Sequence, residues 1–243
     1  MINKNITTKE IKIPAYDGDA FKAYVAMPDD ASNSNQYPVI IVIQEIFGIN
    51  QVMRDICDQY AAKGYVTICP DLFWRIKPGI ELDDNKEEEL QRAFELFIQF
   101  STELGLEDLK TTLGYSRNMP VSNKKIGALG FCLGGKLSYM ISAHSDINAS
   151  VSYYGVNIQT MLGLSKKINT PLLMHIAGED EFTDKEAQNE IIEGLSGNEN
   201  ITTYRYEGVD HAFARNNGKH YDKEAAELAN KRTDEFLKEH LHD

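Results

Sequence analysis

Cysteine is scarce in this 243-residue chain, and the three present, Cys57, Cys69 and Cys132, form no C-x-x-C pair. An odd, scattered set excludes a disulfide framework and a zinc site as organising devices. Positive charge is in deficit: 25 Lys and Arg stand against 37 Asp and Glu, a formal net charge of -12. That balance repels phosphate-rich surfaces, so neither a nucleic-acid partner nor a membrane is expected. The first ten residues lack the apolar core of a signal peptide, and the longest strongly apolar run, Val39-Ile-Ile-Val-Ile43, is far too short to cross a bilayer. The chain is expected in the cytoplasm, where the sequons beginning at Asn5, Asn148 and Asn200 are chance matches. No repeat and no Pro-, Gly- or Ser-rich linker divides it. The acidic stretch at 81–89 is expected to begin a helix, where carboxylates meet the positive end of the dipole. One domain spanning 1–243 is expected, as a monomer or small homo-oligomer.

What is present is alternation. Short β-branched runs at 7–13, 21–27, 39–44, 65–69, 125–130, 149–154, 171–177 and 202–206 read as strands. Segments of helical period lie between or after them at 51–63, 87–102, 106–117, 136–144, 184–195 and 222–240. This is the pattern of an α/β fold, a mostly parallel central sheet of about eight strands flanked by helices. The first two strands, with Asp17-Gly18-Asp19 between them, suggest an antiparallel hairpin.

One stretch carries chemistry: Lys125-Ile-Gly-Ala-Leu-Gly-Phe-Cys-Leu-Gly-Gly-Lys-Leu137. Read as a phosphate loop, it needs a hydroxyl after its lysine to hold magnesium, and it has Leu137 there. Read as G-x-C-x-G, it is a strained strand-to-helix turn presenting Cys132, with Gly130 and Gly134 as the tiny neighbours such a turn requires. A cysteine at a helix N-terminus also gains thiolate character from the dipole. Cys57 and Cys69 read instead as small buried core residues.

In a parallel sheet, residues that directly follow strands gather along one edge. Glu45, Cys132, Asp180 and His211 all do so. The order Cys, Asp, His is that of α/β-hydrolases with sulfur replacing oxygen. His211 would serve as base and Asp180 as its orienting acid, with Glu179, Glu181 and Asp184 as weaker rivals and Asp210 badly placed beside the histidine. His175 is expected to point into or across the sheet, and His144, His220, His240 and His242 to be structural or solvated. Backbone N–H groups of Leu133 and Ile46 are the expected oxyanion donors.

The motifs Gln44-Glu-Ile-Phe-Gly-Ile-Asn50, Gly130-Phe-Cys-Leu-Gly-Gly135, Ala177-Gly-Glu-Asp180 and His211-Ala-Phe-Ala-Arg215 resemble those of the dienelactone hydrolases, the carboxymethylenebutenolidases. The likeness runs over nearly the whole chain. It implies a single α/β-hydrolase domain, a Cys132–His211–Asp180 triad, and hydrolysis of a small, sometimes anionic ester or lactone through an acyl-thioester with neither metal nor cofactor. It further implies that Glu45 restrains the resting thiol, a carboxylate beside a thiol raising its pKa. Arg215 would hold a substrate carboxylate, and Tyr153, Phe47, Leu90 and Phe94 would line the pocket. Leu90 stands where members acting on dienelactone carry a second arginine, and Arg92 lies about 200° further round a helix. Phe94 replaces a tyrosine, so the pocket is expected to be more apolar. The alternatives are a ligand-binding domain without catalysis and, further off, a nucleotide-binding P-loop protein.

Overall fold

The computed structural model describes residues 4–242. Its strands are β1 (Ile6–Pro14), β2 (Ala20–Pro28), β3 (Tyr37–Ile43), β4 (Val66–Pro70), β5 (Ser122–Phe131), β6 (Ala149–Tyr153), β7 (Leu172–Ala177) and β8 (Ile201–Tyr206). They form one sheet in the order β1-β2-β4-β3-β5-β6-β7-β8. The hairpin β1–β2 and the pair β2–β4 are antiparallel, while β3–β4, β6–β7 and β7–β8 are parallel. Every strand expected from the sequence is found, shifted by a few residues at its ends. Gly18, at φ 93°, makes the hairpin turn.

The helices are α1 (Gln51–Ala62), α2 (Glu87–Gln99), α3 (Thr102–Asn118), α4 (Leu133–His144), α5 (Lys185–Leu195) and α6 (Lys223–Leu241). The differences from the sequence reading are local. Helix α2 stops at Gln99 because Phe100 is extended, and α3 starts at Thr102 because the Ser101 hydroxyl accepts the Leu104 N–H. Helix α4 begins directly after Cys132 instead of at Lys136. A 3-10 segment, Ile158–Lys167, was not foreseen, since its kink at Met161 leaves no regular apolar period. No helix among the described residues is long and apolar enough to cross a membrane.

The chain packs as two compact units that divide between Ala128 and Leu129, inside β5. In the first unit, β3 is buried along its whole length, as a strand covered on both faces must be, which explains its unbroken β-branched run. Asn50 caps α1 by accepting the Met53 N–H and donates to the Leu82 carbonyl, fixing the loop after β3. The acidic stretch puts Glu87, Glu88 and Glu89 in the first turn of α2, as its charge implied. Cys57 and Cys69 are both buried. A hydrogen bond with Cys57, together with burial, pushes the Cys69 thiol well above its usual range, so this pair is chemically quiet core.

In the second unit α6 is tied to the sheet by a relay of buried polar groups. Arg232 donates to the Tyr206 hydroxyl (3.0 Å), which bonds His175 Nδ1 (2.8 Å). His175 Nε2 meets Thr233 Oγ1 (2.9 Å), Thr233 meets the Tyr153 hydroxyl (2.7 Å), and Tyr153 donates to Asn230 Oδ1 (3.0 Å). Arginine can only donate and the amide oxygen can only accept, so the proton order runs from Arg232 to Asn230 and leaves His175 neutral with its proton on Nε2. Burial, aided by Arg232, lowers the His175 pKa to about 3. The unfolded chain therefore binds a proton near pH 6.5 that the folded chain refuses until about pH 3. Between those values folding stability should fall as pH falls, by up to about 1.4 kcal/mol per pH unit from this group. Thermal melts over that window should show a shallower acid decline for His175→Gln than for the unaltered protein. Parallel slopes would remove His175 from the acid response.

Candidate active site

The site is built from the second unit at the C-terminal ends of neighbouring strands. Cys132 follows β5, Asp180 follows β7 and His211 follows β8, in the spatial order that the sheet dictates. Cys132 is the N-cap of α4 with φ 55° and ψ −113°, a conformation costing a non-glycine residue about 1–3 kcal/mol. Its N–H donates to the Tyr153 carbonyl at 3.0 Å and its carbonyl accepts the Lys136 N–H at 3.1 Å, so the turn is pinned on both sides. The glycines are sterically required. A Cβ on Gly130 would lie 2.0 Å from the Gly134 carbonyl oxygen, and one on Gly135 2.6 Å from the Tyr153 oxygen. As the first residue of α4, Leu133 has an amide with no acceptor inside the helix, available to a developing oxyanion. Lys136 lies within the helix, so no loop remains to wrap a phosphate, and the P-loop reading fails on geometry.

His211 Nδ1 lies 2.9 and 3.0 Å from the two Asp180 oxygens, and Asp180 Oδ1 also accepts the Phe182 N–H at 2.9 Å. The carboxylate thus holds the proton on Nδ1 and turns Nε2 away from itself. Nε2 makes no well-formed hydrogen bond among the described residues, though the Cys132 sulfur is near enough to act on the ring. Burial alone would lower the His211 pKa, but the charges and hydrogen bonds of Cys132 and Asp180 outweigh it and push it up to about 10. Its imidazolium form is therefore favoured far above the ordinary range. The rivals to Asp180 are engaged elsewhere. Glu179 pairs with Lys185, and Asp184 caps α5. Asp210 accepts the N–H groups of Glu181 and His211 and pairs with His220, joining the loops that carry Asp180 and His211. His220 lies in the loop before α6. Glu181, Asp210 and His220 bring one potential metal-ligand atom each within 4.8 Å of one another; their placement at the surface and these contacts suit a loop tie.

Of the remaining candidates, Tyr153 is buried with its hydroxyl directed to α6, and its ring stacks on Phe131 at 4.8 Å. The neighbouring Tyr154 stands over the site instead, its ring 5.0 Å from that of His211 and its hydroxyl buried without a hydrogen-bond partner among the described residues. Burial, with the charge on Cys132 next, pushes the Tyr154 hydroxyl well up. Tyr154 was missed because a strand read through to 154 puts alternate residues on opposite faces, whereas β6 ends at Tyr153 and the next residue turns at φ 38°. Arg215 is buried, and loss of solvent lowers its pKa to about 10. In the first unit Glu45 (3% exposed), Ile46 and Phe47 are buried in the loop after β3, while Leu90 is half-buried on α2 and Phe94 is exposed there.

With this geometry in view, the comparisons with known proteins are specific. The family model described as "Dienelactone hydrolase family" matches residues 21–241. The chain belongs to the dienelactone hydrolase family. A relative from Azospirillum brasilense is 46% identical over 96% of this chain and 99% of its own length. A carboxymethylenebutenolidase of Pseudomonas putida is 37% identical over 95% and 96%. A crystal structure from Klebsiella pneumoniae superposes with TM-score 0.85 at 25% identity, covering 96% of this chain and 99% of that one. As a dienelactone hydrolase family member the chain is a hydrolase with an α/β-hydrolase fold, which closes the nucleotide-binding alternative.

The turn itself is open to a direct check. Gly130→Ala should force the start of α4 away from the strand, lowering the melting temperature by an overpacking cost of about 1–3 kcal/mol. It should also slow alkylation of Cys132. A variant as stable and as reactive as the parent would show that the turn tolerates a side chain.

Proposed function

We propose that this chain hydrolyses small carboxylic esters or lactones with Cys132 as nucleophile, His211 as proton carrier and Asp180 as the acid that orients it. The observation that carries the reading is the 2.9 Å His211–Asp180 pair beside a cysteine held in a left-handed turn at a helix N-terminus. The Cys132 thiolate attacks the carbonyl carbon, and the resulting oxyanion is met by the Leu133 N–H. As the tetrahedral intermediate collapses, the C–O bond breaks and His211 gives its proton to the departing oxygen. In a lactone that oxygen stays tethered to the acyl group. Water then attacks the thioester, His211 accepts its proton, the C–S bond breaks, and the acid leaves with the thiolate restored.

The tasks of Glu45 as restraint on the thiol and of the Ile46 N–H as second oxyanion donor rest on the resemblance alone. The task of Arg215 as holder of a substrate carboxylate rests on the resemblance as well. Leu90 and Phe94 make dienelactone itself a poor candidate and favour a substrate with an apolar part. The cytoplasm is the proposed compartment. The alternative of a binding domain without turnover does not suit a member of a hydrolase family. Iodoacetamide tests the thiol directly, because a nucleophile should react far faster than Cys57 and Cys69, both fully buried.

Cys132→Ala should lower turnover of activated esters by a factor on the order of 10⁴ or more, with the fold retained by circular dichroism. Parent-like rates in that variant would refute the nucleophile. The pH profile supplies an independent check. Because the His211 pKa is raised to about 10, its cation persists above 6.5 and can still protonate a leaving group there. The alkaline limb of kcat/KM should therefore fall towards pH 10, and a limb near 6.5 would deny His211 that role.

A further inference from the structure

Asp180 borders a cavity of about 10 Å³. Its polar lining also includes Ser152, Tyr154, His175 and Thr183, and its apolar lining includes Ile158 and Ile191. Three of the lining residues carry hydroxyls, Ser152 Oγ, Tyr154 Oη and Thr183 Oγ1, that are buried without a hydrogen-bond partner among the described residues. The residues that carry them are 1%, 2% and 4% exposed. Buried hydroxyls in native proteins nearly always have partners, so three orphans around one small space point to a partner that they share.

Size and chemistry narrow the occupant. A single water requires about 10 to 15 Å³ of accessible space and two to four polar partners, and both conditions are met. An anion is excluded by the Asp180 carboxylate on the same wall. A calcium ion would need about six to eight oxygens, more than the wall provides. An apolar guest would leave every hydroxyl unsatisfied. The carboxylate also has room for another donor. An ionised carboxylate offers about four acceptor sites, and Asp180 receives His211 Nδ1 and the Phe182 N–H.

We propose that this cavity binds one water molecule, which donates to Asp180 and accepts from the surrounding hydroxyls, making Ser152 and Thr183 positioning residues for the acid that orients His211. Thr183 is well placed for this, because its own N–H reaches the Asp180 carbonyl at 3.4 Å and its side chain is 4% exposed. The water would connect the loop after β7 to β6 without a direct side-chain bond between them. The positioning role rests on the triad proposed above, whereas the water site does not.

The experiment has two arms. Oxygen-17 magnetic relaxation dispersion and an atomic-resolution crystal structure of the full chain should find one long-lived water within hydrogen-bond distance of Asp180 and at least two of the hydroxyls. A dry or collapsed cavity would overturn the site, whatever the enzyme's activity. In the second arm, Thr183→Val removes a partner at nearly constant volume. It should lower kcat/KM on the order of tenfold, the scale of one lost hydrogen bond to a charged network. It should also shift the downfield proton resonance of the His211 Nδ1–Asp180 hydrogen bond, since a carboxylate with fewer other donors accepts that proton more strongly. Thr183→Ser should restore both. An unmoved resonance in Thr183→Val would overturn the positioning role while leaving the triad intact. Loss of all ester turnover in the unaltered protein would count against the triad and not against the water.

Discussion

A cysteine held at φ 55° is the constraint on which the rest of the site depends. An L-residue adopts that conformation only if its surroundings enforce it. Here the enforcement is backbone against backbone: the Cys132 N–H on the Tyr153 carbonyl, and Gly130 against the Gly134 carbonyl. The gain is directional. The same turn that lifts the sulfur out of the chain also starts α4, so the Leu133 amide and the helix dipole act on the atom just exposed. Moving the cysteine one residue in either direction would lose the helix N-terminus and the glycine frame together.

The histidine is governed by opposed electrostatic demands, and their balance decides its state. His175 within β7 and His211 in the loop after β8 are both buried, yet their pKa values are driven in opposite directions, to about 3 and about 10. Burial disfavours the cation in both. Asp180 and the thiol reverse this for His211, whereas His175 has only neutral hydroxyls as partners and a nearby Arg232 that opposes protonation. Two buried imidazoles are thus held in different charge states by their neighbours alone.

Much of this was legible in the sequence. Strands announce themselves where both faces are buried, because an unbroken β-branched run such as 39–43 suits a doubly covered strand and little else. The places of Cys132, Asp180 and His211 were legible because each comes after a strand and Cys132 sits among glycines. Other features resisted for identifiable reasons. The exchange of Tyr153 for Tyr154 turns on one residue of strand length, and strand ends are where sequence patterns say least. The 3-10 segment has no stable period. The early start of α4 was hidden by its two glycines, poor helix formers that are needed there for close approach. The division inside β5 leaves no composition signal, because an uninterrupted strand passes through it.

The relay from Arg232 to Asn230 has a property that its bond lengths alone do not convey. Because one end can only give protons and the other only take them, no member can reverse without every member reversing. The relay therefore cannot shuttle charge in either direction. Between the sheet and α6 it forms an electrical insulator, a join of one fixed polarity.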